Sequence, residues 1–257
     1  MHLLNNKRIL FVSLLATLSF SGCATLPGER DPRDPWESYN RSVYKFNDGA
    51  DKAVLKPVAQ AYRLVTPRFV RTGVTNFFNN LDDVTVFFND LFQAKFGQAV
   101  ADGGRFIINT TFGLGGVIDV AGAAGAPKHR EDFGQTLGVW GMGPGPYFVL
   151  PLMGPSTTRD ASGRVVDIFL TPSTYANKAN VTTGANVLNV INLRSNLLDT
   201  EKVLDEAALD RYSFLRDAYL QRRESLVYDG NPPKKNSDEF FDDFDEPKKT
   251  KVPEKKK

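Results

Sequence analysis

The chain has one cysteine, two histidines and three methionines among its 257 residues. A single cysteine excludes any disulfide within the chain, so packing and hydrogen bonds must hold the fold together. His2 stands at the extreme start, which leaves His129 as the one imidazole of the main body, and no thiol accompanies it. Most hydrolytic dyads and histidine-built zinc sites are therefore out of reach. A formal net charge of +2 is too small for the footprint of a nucleic-acid binder. Beyond residue 22 no apolar run reaches the roughly eighteen residues that a spanning helix needs.

What is present begins at the N-terminus. Lys7 and Arg8 precede the apolar run Ile9 to Phe20, followed by Ser21-Gly22-Cys23, where the lone cysteine sits. The run is too short to cross a bilayer and reads as an export signal. Small residues before a single Cys match a bacterial lipobox, with Phe20 in place of the usual Leu. The expectation is a signal peptide over 1–22, removed by cleavage, and fatty acylation of Cys23. An ordinary signal with an incidental Cys is the alternative. Loss of Lys7 and Arg8 brings the net charge to about zero.

The remainder divides into a tether (23–33), a single domain (34–228) and a charged tail (229–257) expected to be disordered. Asp34-Pro35-Trp36-Glu37 has the form of a capping box, predicting a helix whose stripe is Tyr39, Val43, Phe46 and Ala50, ended or bent by Lys56-Pro57. Thr66-Pro67 signals a second start. Phe77, Leu81, Val84, Phe88 and Leu91 recur at helical spacing, widened by Phe78, Phe87 and Phe92. A face this broad is ordinarily core, and lipid contact is the other reading. A shorter helix follows over 99–111 with Val100, Gly103, Phe106 and Ile107 inward.

From Gly113 to Gly154 glycine and proline are frequent, and Trp140, Met142, Tyr147, Phe148, Leu152 and Met153 make the segment unusually apolar for a loop. Gly113-Leu114-Gly115-Gly116 lacks a leading strand and a following Gly-Lys-Ser, so turn geometry explains it better than a phosphate loop. Two antiparallel helices are expected after Gly184, one with Val187, Val190, Ile191, Leu197 and Leu198 in its stripe. The fold class is all-α, with at most one hairpin near 140–152. Glu131-Asp132 beside His129 is the best acid-base cluster, yet neighbours on a loop point apart, and Ser156 and Ser162 lack a partnered base. No catalytic residue, metal or cofactor is assigned. The residues alone leave lipid handling, envelope scaffolding and cell-wall attachment open.

Ordered motifs narrow this. Asp34-Pro35-Trp36-Glu37 with Tyr39-Asn40-Arg41, Tyr44-x-Phe46-Asn47, Asn76-Phe77-Phe78-x-Asn80-Leu81, Arg105-Phe106-x-x-Asn109-Thr110 and Gly113-x-Gly115-Gly116-x-x-Asp119-Val120-Ala121 resemble the MlaA (VacJ) lipoproteins. Glu131 to Gly138, Gly143-x-Gly145-Pro146-Tyr147 and Leu150-Pro151-x-x-Gly154-Pro155-Ser156 extend the resemblance, which covers roughly 34 to 228. It implies a single helical ring-like domain in the inner leaflet of the outer membrane, with an amphipathic pore that takes mislocalised phospholipid. A trimeric porin and a soluble periplasmic lipid carrier are the implied partners, and no enzymatic activity is implied. A mobile hairpin is implied over about Gly138 to Arg159, with Gly141, Gly143 and Gly145 as hinge candidates. Tyr44, Phe46, Asn47 and Arg159 are candidates near the lipid path, with plain helix packing as the other role for the first three. Phe77, Phe78, Phe87, Phe88 and Phe92 become candidates for the membrane face. A non-transporting envelope scaffold is the runner-up. The tail clusters Phe240, Phe241 and Phe244 among acids, suggesting a docking segment for the carrier or a plain solubilising tail.

Overall fold

The computed structural model describes residues 31–175, 179–207 and 210–233. Cys23, the expected export signal and most of the tail lie outside them. Helix α1 spans Glu37–Ala50 and passes through a π-helical turn, Asp51–Leu55, into α2, Lys56–Val65. Pro57 neither ends nor visibly interrupts the run, because the widened turn carries the chain to it: Lys56 N–H bonds to Asp51 O, five residues back. Extended Thr66 and Pro67 then separate α2 from α3, Arg68–Phe92. Helix α4 is Phe96–Phe112, followed by the short α5, Val120–Ala123, and α6, Phe133–Val139. Strands β1, Tyr147–Leu150, and β2, Gly154–Thr157, pair antiparallel with Tyr147 opposite Thr157. Helix α7, Thr158–Leu170, a 3-10 turn at Pro172–Tyr175, α8, Ala179–Ala207, and α9, Arg211–Val227, complete the domain.

Four side chains set helix starts by accepting the free N–H groups of the first turn. Asp119 accepts from Gly122 for α5, Asp132 from Gln135 for α6, Thr157 from Asp160 for α7 and Asp210 from Tyr212 for α9. Asp34 is not among them. Helix α1 starts three residues later without a side-chain cap. Asp34 is instead buried, accepting from Asn40 Nδ2 at 2.7 Å, from the Tyr212 hydroxyl and from Arg216 Nη1 at 3.4 Å. It ties the chain's beginning to α9.

The elements close on themselves. Helix α1 packs on β1, β1 on β2, β2 on α7 and α9, α7 on α3 and α6, α3 on α8, and α8 on α2, which continues α1. This circuit of contacts is the single ring-like helical domain. The two long C-terminal helices do not make the expected antiparallel pair. Helix α8 lies along α2 and α3, whereas α9 lies on α6 and β2. Their polar faces decide this: Asn192 donates to Thr75 Oγ1 at 2.8 Å, and Arg223 binds Asp132 and Asp160.

Side-chain amides hold the hairpin on α1. Asn40 donates to Tyr147 O at 3.2 Å and accepts from Val149 N–H at 2.9 Å. Asn47, two turns on, donates to Leu150 O at 2.9 Å and accepts from Leu152 N–H at 2.7 Å. Two amides thus stand where a third strand would pair with β1. Beneath them Tyr147, Val149 and Tyr212 form a small aromatic core, flanked by Val43, Tyr44, Tyr219 and Leu220. Replacing Asn40 by Ala leaves the buried Val149 N–H and one Asp34 oxygen without this partner. At about 1–3 kcal/mol for each such group, Asn40→Ala lowers stability by about 3 kcal/mol, read from urea unfolding; an unchanged midpoint contradicts the clamp.

Candidate functional site

Buried and exposed faces are exchanged relative to an ordinary water-soluble domain. On α3 the enclosed positions are Gly73, Asn80, Asp83, Thr85, Val86, Asn89 and Asp90, a mostly polar stripe at helical spacing. Phe77, Phe88 and Phe92, expected as core on periodicity alone, are exposed on the opposite side. Phe78 and Phe87 are half-buried at the edges of that face: Phe78 meets Phe77 edge-on, and the Phe87 ring lies where a Cβ on Gly103 would come within 3.1 Å. Helix α4 repeats the pattern. It buries Ala99, Asp102, Arg105 and Asn109, while Val100, expected inward, is 75% exposed and Ile107 61%. On α1 the enclosed residue is Asn40, and Tyr39 and Phe46 of the expected core stripe face out. On α8 Val187, Val190 and Leu197 face out while Asn192, Ser195 and Leu198 are enclosed. The stripes have the right period and the opposite sense.

Such a surface suits surroundings that are partly hydrocarbon. Monomers in water do not normally expose so much contiguous apolar surface, and polar interiors are tolerated only when each group finds a partner. No described helix is long and apolar enough to cross a membrane.

The hairpin end carries the densest cluster of sequence candidates. The strands join through Pro151, Leu152 and Met153, and Leu152 adopts a φ of 61° while 76% exposed. Left-handed backbone at an exposed Leu carries a steric cost. Gly141 and Gly145 have φ of 94° and 67°, conformations that suit glycine, whereas Gly143 does not and has open space around it. Arg159 is buried beneath this segment, donating to Met142 O at 3.4 Å and to Asp160 at 3.2 Å. Asp160 also accepts from the Tyr219 hydroxyl at 2.7 Å and from Arg223 at 2.9 Å. Tyr44 packs edge-on against Tyr212 inside the small core, and Asn47 clamps the hairpin as described. Tyr44, Asn47 and Arg159 are therefore brought around the hairpin, while Phe46 faces outward on α1.

The suspected acid-base cluster disperses. His129 Nδ1 lies 2.7 Å from Asp102 Oδ2, Glu131 meets Lys95 at 3.1 Å and Gln93 at 2.9 Å, and Asp132 caps α6 and holds Arg223. His129, Asp102 and Glu131 belong to a buried polar seam around α3 and α4, and Asp132 to a separate network with Arg223 and Asp160. Within the seam Asp83 takes Lys128 at 2.5 Å, and Arg105 reaches Asp119 at 3.1 Å. Burial, with Asp102 and Glu131 close by, pushes the Asp90 carboxyl up to about 8, so it keeps a proton at neutral pH. Burial likewise raises Asp167 to about 6 against hydrogen bonds from Phe133 N–H and Asn89. Among the described residues no group of three His, Cys, Asp or Glu side chains is placed to hold a metal ion. The motif residues Asn80, Arg105, Asn109 and Asp119 are partners in this seam, a role that isolated spacing did not reveal.

With the geometry in hand, comparison with known proteins is informative. The family described as MlaA lipoprotein matches residues 32–226. The intermembrane phospholipid transport system lipoprotein MlaA of Escherichia coli is 36% identical over 221 residues, covering 84% of this chain and 87% of its own. Its counterpart in Haemophilus influenzae is 31% identical, covering 87% and 92%. An uncharacterized Rickettsia bellii protein is 34% identical over 81% of this chain. A solved structure from work on the "structural basis for maintenance of bacterial outer membrane lipid asymmetry" superposes with a TM-score of 0.68 at 35% identity, over 77% of this chain and all of that one.

The seam has a pH signature. A carboxyl raised from 3.8 to about 8 binds its proton more tightly in the folded state, so its contribution is full below the lower value and fades as pH rises through the upper one. Asp90→Asn removes that titration. The wild type should lose stability between pH 6 and 8 at up to about 1 kcal/mol per unit from this group, and the variant should show a flatter profile. Parallel profiles in thermal unfolding would refute the assignment.

Proposed function

The chain belongs to the MlaA lipoprotein family, and from that membership and its inverted surface we propose that it passes mislocalised phospholipids out of the outer membrane to a periplasmic carrier. Maintenance of outer-membrane lipid asymmetry is the result. The observation that carries this reading is the apolar exterior: Phe69, Val100, Ile107, Phe112 and Leu152 all stand exposed on a domain whose described residues include no spanning helix. Such a domain floats in one leaflet.

In this reading residues 1–22 are removed on export, acylated Cys23 anchors the periplasmic face and 23–33 form the tether to the domain at 34–228. A phospholipid headgroup cannot cross hydrocarbon cheaply, so its route must be hydrated while its tails remain in lipid. A ring of helices with polar inner faces supplies that arrangement. The exposed faces bearing Phe77, Phe88 and Phe92 contact acyl chains, with Phe78 and Phe87 at their margins. The hairpin borders the passage, clamped on its α1 side by Asn40 and Asn47, so motion is confined to the glycine-rich approach at Gly141, Gly143 and Gly145. Tyr44 and Arg159 lie along its flanks, and Phe46 faces outward on α1. A trimeric porin holds the ring in place, a soluble periplasmic carrier receives the lipid, and the tail from 229 to 257 docks that carrier. The chain itself performs no bond-making chemistry.

Phe88→Lys with Phe92→Lys places two charges against hydrocarbon at about 2–4 kcal/mol each. We expect at least a tenfold loss of labelled-phospholipid transfer from vesicles to acceptor, with the unfolding midpoint in detergent kept within a few degrees. Undiminished transfer contradicts lipid contact on this face. Gly143→Ala meets open space and needs no left-handed backbone, so it leaves the fold intact. It should nevertheless change the transfer rate by narrowing the backbone freedom of the hairpin approach. A wild-type rate removes Gly143 as a hinge.

A further inference from the structure

We propose that the corner joining α2 to α3 is a binding site for the phosphate of a phospholipid headgroup, with Arg63, Arg68 and Arg71 around the anion and Leu64, Val65 and Phe69 beside its acyl chains. The assignment rests on the phospholipid-transfer reading and adds to it a specific recognition element. A cavity of about 480 Å³ opens between the start of α3 and the middle of α8, lined by the three arginines with Thr75, Ser195 and Asp199. An adjoining cavity of about 530 Å³ shares Arg63 and Asp199 and continues along α2 past Gln60 and Leu64 to Leu198. Together they form one groove.

Charge in the groove is unbalanced. Arg63 Nη2 meets Asp199 Oδ2 at 2.8 Å, but Arg68 and Arg71 make no ion pair with any described residue. Arg71 Nε is fully enclosed without an acceptor. Other partly or fully enclosed guanidinium groups are matched by carboxylates: Arg41, Arg194 and Arg223 each sit on two and Arg216 on three. Arg71 thus combines an enclosed Nε without an acceptor with the lack of any ion pair, whereas Arg223, whose Nε is likewise unmatched, is held by two acids. An enclosed donor on an unpaired cation is satisfied by an anion from outside, and a phosphate oxygen suits the planar fork of arginine. Free phosphate offers the same oxygens. What favours the lipid is the rim. Leu64 is 87% exposed, Phe69 78% and Val65 76%, all within two residues of Arg63 or Arg68. A cationic groove edged by exposed apolar side chains is complementary to an amphiphile, not to a small hydrophilic ion.

The test uses the full-length acylated protein in maltoside micelles containing phosphatidylglycerol with a photoreactive acyl chain, and maps crosslinks by mass spectrometry. Labelling at residues 64–69 is expected, competed by plain phosphatidylglycerol but not by diacylglycerol, which lacks the phosphate. Arg68→Gln, at an exposed position that should not disturb folding, lowers that labelling about tenfold, and adding Arg71→Gln lowers it further. Lys45→Gln, on exposed α1 surface, leaves it unchanged. Equal labelling in Arg68→Gln, or competition by diacylglycerol, overturns the site. Competition by glycerophosphate at the same concentration as the lipid also overturns it, by making the ligand a free phosphate. Wild-type protein that carries and transfers phospholipid while 64–69 stay unlabelled removes only the groove. Wild-type protein that neither carries nor transfers phospholipid removes the transfer reading itself.

Discussion

Pairing of polar side chains inside the ring is the interaction on which the rest of the structure depends. Asn40, Asn89, Asp102 and Thr136 are all fully enclosed and hydrogen-bonded, and large apolar side chains stand outside. Such an interior cannot be held by hydrophobic burial alone, because a buried polar group without a partner costs more than a paired one contributes. Geometry must therefore be specific. Asn89 accepts from Thr136 and donates to Asp167, Gln93 joins Thr136 to Glu131, and Arg223 joins Asp132 to Asp160, so each contact fixes two elements at once. With no disulfide available, these links and the small tyrosine core close the ring.

The same inversion explains the outside. Once the polar faces are used to join helices, the apolar faces have nowhere to go but outward, and a bilayer leaflet is the solvent that accepts them. A helix that lies in the interface needs no apolar length to span, so the proposed lipid anchor and the broad apolar faces are compatible in one chain. The clamp of Asn40 and Asn47 on β1 carries the argument to the hairpin. It fixes the strand on α1, so the proposed motion of the hairpin must come from the glycine-rich approach.

How much of this could be read in the sequence depends on what periodicity measures. The spacing of Phe77, Phe88 and Leu91 located a helix, and Thr66-Pro67 marked a true start, whereas the caps at Asp132 and Thr157 came only with the structure. Period alone cannot say which medium the apolar face meets, so on α3 it left core and lipid open, and on α4 it put Val100 and Ile107 inward where the structure exposes them. The complementary stripe of Asn80, Asp83, Asn89 and Asp90 was equally visible in the letters. Small amides and carboxylates at helical spacing opposite Phe are the signal that an interior is polar. Asp34 misled for a related reason: its capping pattern is local, whereas its partners Tyr212 and Arg216 are distant in the chain. The pairing of His129 with Asp102 and the meeting of Arg63, Arg68 and Arg71 in one groove likewise required the folded arrangement. Ordered motifs carried the family because they are the residues of these networks.

Depth in the bilayer is the quantity on which the account turns. With the single native cysteine acylated as proposed, nitroxide labels on Val100→Cys, Ile107→Cys and Phe112→Cys report one site each in vesicles. Collision rates measured against oxygen, which concentrates in hydrocarbon, and against a water-soluble nickel chelate place each label. The account predicts that all three favour oxygen while a label on Lys45→Cys favours nickel. Nickel preference at all three would mean that these faces meet water, and the inverted interior would then have lost its reason.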